Sequence, residues 1–199
     1  MADIAESVSE AVERGGEGGL NTLVALAVAV TATFMALCNV KAGNTVQAMQ
    51  QEQTAAVDAW AYYQAKSTKQ NIAEAMTDEL STLRDTAVGL GPEQRRIYDE
   101  RIAAYAARAR QYEQEKGDIR AQAQGHEAEY RRLNVHDDQF DLAEACLSIT
   151  VALLGVTALT RKKWLLGVAL AFGGFGVFMG LAGFARLPVH PGFLVQLLG

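Results

Sequence analysis

Asp137, Asp141 and Glu144 follow one another at intervals of four and three residues, which places three carboxylates on one face of a helix. They sit where a charged stretch meets an apolar run. Carboxylate sets of this kind hold hard cations such as calcium, and an ionisable group at the entrance to a membrane segment is a functional candidate by default. The competing reading is structural, with these carboxylates paired to Lys41 and Arg131. A second grouping is aromatic: Trp60, Tyr62 and Tyr63 within Trp60-Ala61-Tyr62-Tyr63-Gln64-Ala65-Lys66. Rings at this density serve either helix packing or a flat ligand. His126 falls at a packed position, where a lone histidine is more often structural than a ligand; His136 and His190 stand apart from it. Cys38 and Cys146 have no metal-site spacing. They are either a disulfide in an oxidising compartment or two buried thiols acting as small apolar residues.

No nucleophile is accompanied by a base, and Gly15 to Gly19 lacks the Lys-Ser/Thr that completes a phosphate-cradling loop. The chain therefore reads as non-enzymatic and without a cofactor. Its net charge is −5, and arginine and glutamate are interspersed rather than gathered into a basic stripe. That pattern argues against nucleic-acid binding.

The elements that must position these residues are helices. Half of the residues are apolar, proline is scarce, and strand signals are nearly missing. Tyr98, Ile102, Tyr105, Ala109, Tyr112, Lys116, Ile119, Ala123, His126, Tyr130, Leu133, Asp137 and Phe140 alternate by four and three. Such a heptad seam predicts a helix packed along one face. Upstream, Val46, Met49, Gln53, Ala56, Trp60 and Tyr63 form a seam whose phase then shifts to Ile72, Met76, Leu80 and Leu83, as a stutter would. Between the two arms, Gly89 can close one helix in the left-handed conformation and Pro92 suits the first turn of the next. Residues 39–140 thus read as a long antiparallel helical hairpin, coiled-coil-like, with its turn near 88–92. Folding about Leu90 sets Trp60 opposite Ala121, and Tyr62 and Tyr63 near Gly117. Gly117, Ala121 and Gly125 then offer either a shallow groove for the rings or local flexibility.

Three apolar runs, residues 20–38, 141–160 and 164–185, are each near the length that crosses a bilayer. The expected fold class is an all-α membrane protein with three transmembrane helices and the hairpin between the first and second. Residues 1–19 form an acidic N-terminal segment, either a short amphipathic helix or disordered. Residues 186–199 form an apolar interfacial tail. The first run makes a poor signal peptide, because the segment before it is acidic. Gly173, Gly176, Gly180 and Gly183 stripe the third run, and such a stripe lets another helix approach closely. Whether that helix belongs to this chain or to a neighbour stays open. Arg161-Lys162-Lys163 marks the cytoplasmic side. The N-terminus and this link are then expected inside, and the hairpin and C-terminus in the periplasm or outside the cell. Lys41, Arg131 and Arg132 pull weakly the other way.

The run W-A-Y-Y-Q-A-K at 60–66 has an apolar span before it, a Gly-Pro turn after it, and two further spans joined by a basic link. In this it resembles a bacterial membrane-protein family known as a domain of unknown function. The resemblance covers most of the chain. It implies a recurring layout, placed here in the bacterial inner membrane, and no activity.

Two functions suit these features. One apolar seam per arm favours a self-assembling structural or scaffolding protein, a closed symmetric homo-oligomer in the lipid bilayer. The alternative is a sensor, or an accessory or regulatory subunit of a membrane complex with an unidentified membrane-protein partner, binding a ligand or cation at the hairpin. The lack of a cytoplasmic signalling domain counts against it. A pore is weaker still, because the spans carry few polar residues beyond Asn21, Thr22, Thr31, Thr33 and Ser148.

Overall fold

The computed structural model describes residues 18–189. The acidic segment 1–17, His190 and the end of the tail lie outside the described residues. Three helices follow in order: α1 Gly18–Thr86, α2 Pro92–Thr160 and α3 Lys163–Phe184. Two are long, at 69 residues each, and one is shorter, at 22. No strand occurs among the described residues. Each helix contains a stretch long and apolar enough to cross a membrane. The first apolar run continues into the first arm without a break, and the second arm runs into the second apolar run in the same way.

The breaks fall where backbone chemistry demands them. Gly89 adopts φ +81, a left-handed conformation that suits glycine because it has no Cβ. Pro92 is the first helical residue of α2, where its missing N–H costs nothing. The Gly91 N–H donates to Gln94 Oε1 at 3.0 Å, half of a capping box that satisfies one orphan donor of the helix start. Between α2 and α3 only Arg161 and Lys162 lie outside a helix, so Lys163, expected in the link, opens α3 instead. After α3, Arg186 takes φ 53. The Leu187 N–H reaches Ala182 O at 3.0 Å and the Arg186 N–H reaches Gly183 O at 3.3 Å. This is a Schellman closure with arginine where glycine is usual.

The chain divides into two compact units. One takes the chain up to Met49 and from Arg132 onward; the other is Gln50–Arg131. The division lies about ten residues beyond the ends of the apolar runs, because Thr45, Met49, His136 and Phe140 are buried as well.

In the first unit, Cys38, Phe140, Leu142, Ala143, Leu147 and Met179 form one buried cluster, joined by Phe34 and Met35. Val24, Leu154 and Ala169 form another. The outward faces stay apolar: Leu23, Leu26, Val30, Leu37, Val156, Leu170, Phe178 and Leu181 are all exposed. An exposed apolar surface of this extent suits a hydrocarbon surround rather than water. Polar groups inside the apolar stretches are satisfied locally. The Thr150 and Thr157 hydroxyls, both buried, donate to the carbonyls of Cys146 and Leu153 at 2.7 Å each, which removes the cost of an unpaired group away from water.

In the second unit every seam residue expected on α2 between Tyr98 and Tyr130 is buried or half-buried. On α1 the expected phase shift is absent. Glu52, Ala56, Ala59, Tyr63, Lys66, Gln70, Ala73, Thr77, Leu80 and Arg84, and then Ala87 just past the helix end, alternate by four and three without interruption, and all are buried or half-buried. Ile72, expected on the seam, is 58% exposed. The seam is carried through its middle by polar side chains with partners on the other helix, so a search for apolar residues jumps to the wrong face.

Candidate functional site

The aromatic run lies in the second unit, at the centre of a ladder of polar contacts between α1 and α2. The Trp60 indole N–H donates to Glu127 Oε1 at 2.8 Å, and its ring meets Tyr63 edge-on at 5.5 Å. Lys66 is bonded to Glu115, and its ammonium lies 5.3 Å from the centres of both the Tyr62 and Tyr112 rings, within cation–π range. Lys116 donates to Gln70 Oε1 at 2.7 Å, pairs with Glu113 at 3.0 Å and stands 5.5 Å from the Tyr63 ring. His126 Nδ1 lies 2.7 Å from Glu52 Oε2. Arg84 Nη1 donates to Asp99 Oδ1 at 2.7 Å. The Lys66 hydrogen bond holds Glu115 below the usual carboxylate range and pushes Lys66 up. Lys116, and then Gln70, hold Glu113 down in the same way. Polar residues on an otherwise apolar seam fix register, because a slip by one heptad strands all of them.

The expected groove is not formed. Gly117, Ala121 and Gly125 are exposed, and a Cβ added at Gly117 or Gly125 would meet nothing within 4 Å. Trp60 reaches Glu127 rather than Ala121. The three small residues lie beside the seam positions Ile119 and Ala123, not on them, and so face away from the rings.

In the first unit the carboxylates Asp137, Asp141 and Glu144 lie just before and within the start of the second apolar stretch. Asp137 is half-buried, while Asp141 and Glu144 are exposed. Among the described residues no three His, Cys, Asp or Glu side chains converge as a metal site. Arg131 pairs with Glu127 at 4.0 Å, not with these carboxylates. Burial, and then the charges of Asp141 and Asp138, push the Asp137 carboxyl up to about 6. Its Oδ1 is buried with no hydrogen-bond partner.

The residue that organises this junction was not among those expected. Gln139 is fully buried. Its amide nitrogen donates to the carbonyls of Leu187 and Val189 at 2.8 and 2.6 Å, tying the chain after α3 to α2. The amide oxygen then faces His136 Nδ1 at 3.2 Å. Because both amide hydrogens are committed to carbonyls, His136 Nδ1 must carry the proton in this contact. The signal was present: Gln139 heads the buried row Ala143, Leu147, Thr150, Leu154 and Thr157.

The glycine stripe of α3 packs inside the chain. A Cβ at Gly173 would lie 3.0 Å from Thr150 Cγ2, and one at Gly176 would lie 3.2 Å from the Ala143 carbonyl oxygen. At Gly180 it would lie 2.8 Å from Phe34 and 2.9 Å from Cys38 Sγ, and at Gly183 2.8 Å from Phe140. The helices that approach are therefore this chain's own α1 and α2. Cys38, fully buried, and Cys146, half-buried, are both free thiols. A disulfide is not formed, and both pack against the stripe as small residues.

No curated protein and no solved structure matches the chain. One family model does, over residues 20–186, from the start of the first apolar run to the arginine that closes α3. The chain belongs to that family, described as Domain of unknown function (DUF4337).

Proposed function

We propose that this is a non-enzymatic integral membrane protein that self-assembles through an extramembrane helical hairpin. The three apolar stretches cross the bilayer, in a bacterial inner membrane. The basic link places the N-terminus and residues 161–163 in the cytoplasm and the hairpin outside. The cross-contacts support an antiparallel, coiled-coil-like hairpin. From Arg84–Asp99 beside the turn, through Gln70–Lys116, to Glu52–His126, one residue number falls as the other rises.

The observation that carries the reading is the thinness of the hairpin core. Over Gln50–Arg131 its buried apolar residues are Ala56, Ala73, Ala109, Ile119 and Ala123, four of them alanine. A two-helix pair with so small a core gains little from burial. Val57, Tyr62, Ile72 and Leu83 meanwhile stand exposed on its surface. A second copy laid against the arms would cover them and deepen the core. The glycine stripe, used within the chain, leaves the arms as the surface for assembly. Cysteine cross-linking in membranes tests this. On a background lacking Cys38 and Cys146, single cysteines at Val57, Tyr62, Ile72 and Leu83 should give covalent dimers at one or more positions. Purely monomeric chains at all four would overturn the reading.

A further inference from the structure

Lys41, Asn44, Thr45, His136 and Arg186 line a cleft of about 90 Å³ in the first unit, closed on its apolar side by Leu133 and Phe140. All three helices contribute to it or to its rim. Lys41 follows the first apolar run, His136 precedes the second, and Arg186 closes the third. All three therefore sit at one membrane interface if those runs are spans. Neither Lys41 nor Arg186 has an ion-pair partner among the described residues, and the Asn44 amide makes no hydrogen bond there. His136 is buried, and its Nδ1 is committed to Gln139, leaving Nε2 as the uncommitted ring nitrogen of a cleft-lining residue. Thr45 is fixed by donating to Lys41 O at 3.0 Å. None of the nearby carboxylates, Asp137, Asp138, Asp141 or Glu144, lines the cleft. Two uncompensated cations and an amide around one small opening attract a compact anion with several acceptor oxygens. At the depth of lipid headgroups the abundant anion of that shape is a phosphate.

We propose that this cleft binds a phosphate group, carried by an anionic lipid headgroup or free in solution. The proposal rests on the reading of the three apolar stretches as membrane spans. The test uses the full chain in nanodiscs of phosphatidylcholine and phosphatidylglycerol at equal fractions, released for native mass spectrometry. The unmodified protein should retain phosphatidylglycerol about tenfold or more above its mixing ratio, at about 1 kcal/mol for each basic side chain near a lipid surface. Lys41→Gln combined with Arg186→Gly should bring retention to parity. Glycine removes the charge while suiting the φ 53 backbone at that position. Lys41→Arg should leave the preference intact. If the double variant does not fold, Lys41→Gln alone, with helical content unchanged, should still lower retention several-fold.

In a parallel arm, millimolar inorganic phosphate is added to lipid-stripped protein in neutral detergent. A rise in melting temperature that the variant loses, without lipid preference, assigns the site to the free anion. Lipid preference without a phosphate effect assigns it to the headgroup. No preference and no phosphate effect, or equal behaviour of variant and unmodified protein in both arms, overturns the proposal. Failure of the membrane reading would show separately, as protein that does not enter nanodiscs, and the phosphate arm would then decide the cleft alone.

Discussion

Replacing Gly180 with alanine sets two effects against each other. In an exposed helix interior the change favours the helix by about 1 kcal/mol. Here the new methyl would lie 2.8 Å from Phe34 Cε1, 2.9 Å from Phe34 Cζ and 2.9 Å from Cys38 Sγ, all closer than Cβ atoms approach their neighbours. Overpacking costs about 1–3 kcal/mol. Phe34 is not free to swing away without loss, because its ring packs on Phe184 at 6.3 Å, which in turn meets Phe140 edge-on at 5.4 Å. The net expectation is a loss of about 1–2 kcal/mol. Gly174, on the same helix, provides the internal control. A Cβ there meets nothing within 4 Å, so Gly174→Ala should be neutral or gain up to about 1 kcal/mol. Reversible denaturation in detergent micelles, followed by Trp164 fluorescence, reads both. Adding Phe34→Leu to Gly180→Ala should recover part of the loss, with a coupling of about 1 kcal/mol. If Gly180→Ala and Gly174→Ala behave alike, or if Phe34→Leu shows no coupling, α3 does not pack on α1 as described.

Trp60→Phe keeps the ring against Tyr63 but removes the N–H to Glu127, and should cost about 1 kcal/mol in thermal unfolding of the arms. The arms should also weaken in acid. Glu113 and Glu115 are held below their ordinary value of 4.5, so their contribution is complete above that pH and is lost as pH falls through the depressed values; circular dichroism melts between pH 6 and 3 follow it, and Lys66→Gln should flatten the curve. Asp137 acts with the opposite sign. Its carboxyl is raised from 3.8 to about 6, so the folded state takes up the proton first and stability rises as pH falls through about 6 towards 3.8. Asp137→Asn should therefore stabilise the first unit at pH 8 by about 1 kcal/mol and abolish that acid-side gain.

Much of the architecture was legible because it rests on periodicity and punctuation. The seam from Tyr98 to Tyr130, the Gly89–Pro92 break and the three apolar runs are each set by local chemistry. The middle of the first arm was not, because Lys66 and Gln70 occupy half-buried seam positions that their partners Glu115 and Lys116 make acceptable. Those partners lie more than forty residues away along the chain, beyond any local pattern. Gly117 and Gly125 misled for a related reason: small residues at equal spacing mark a close approach only when they fall on the packed face. The stripe on α3 was visible, but not what it touches, since Phe34, Cys38, Phe140 and Thr150 come from two other helices. Gln139 was overlooked among the carboxylates around it, although its interval of four from Ala143 already placed it on the buried row.

The most direct test of self-assembly is the mass of the complex extracted in nanodiscs or detergent with its lipids retained, measured by native mass spectrometry. A single discrete multimer of this chain is the predicted result, and it should persist in Gly174→Ala. A monomer, or a stoichiometric mass belonging to another protein, would contradict self-assembly and make this chain an accessory subunit.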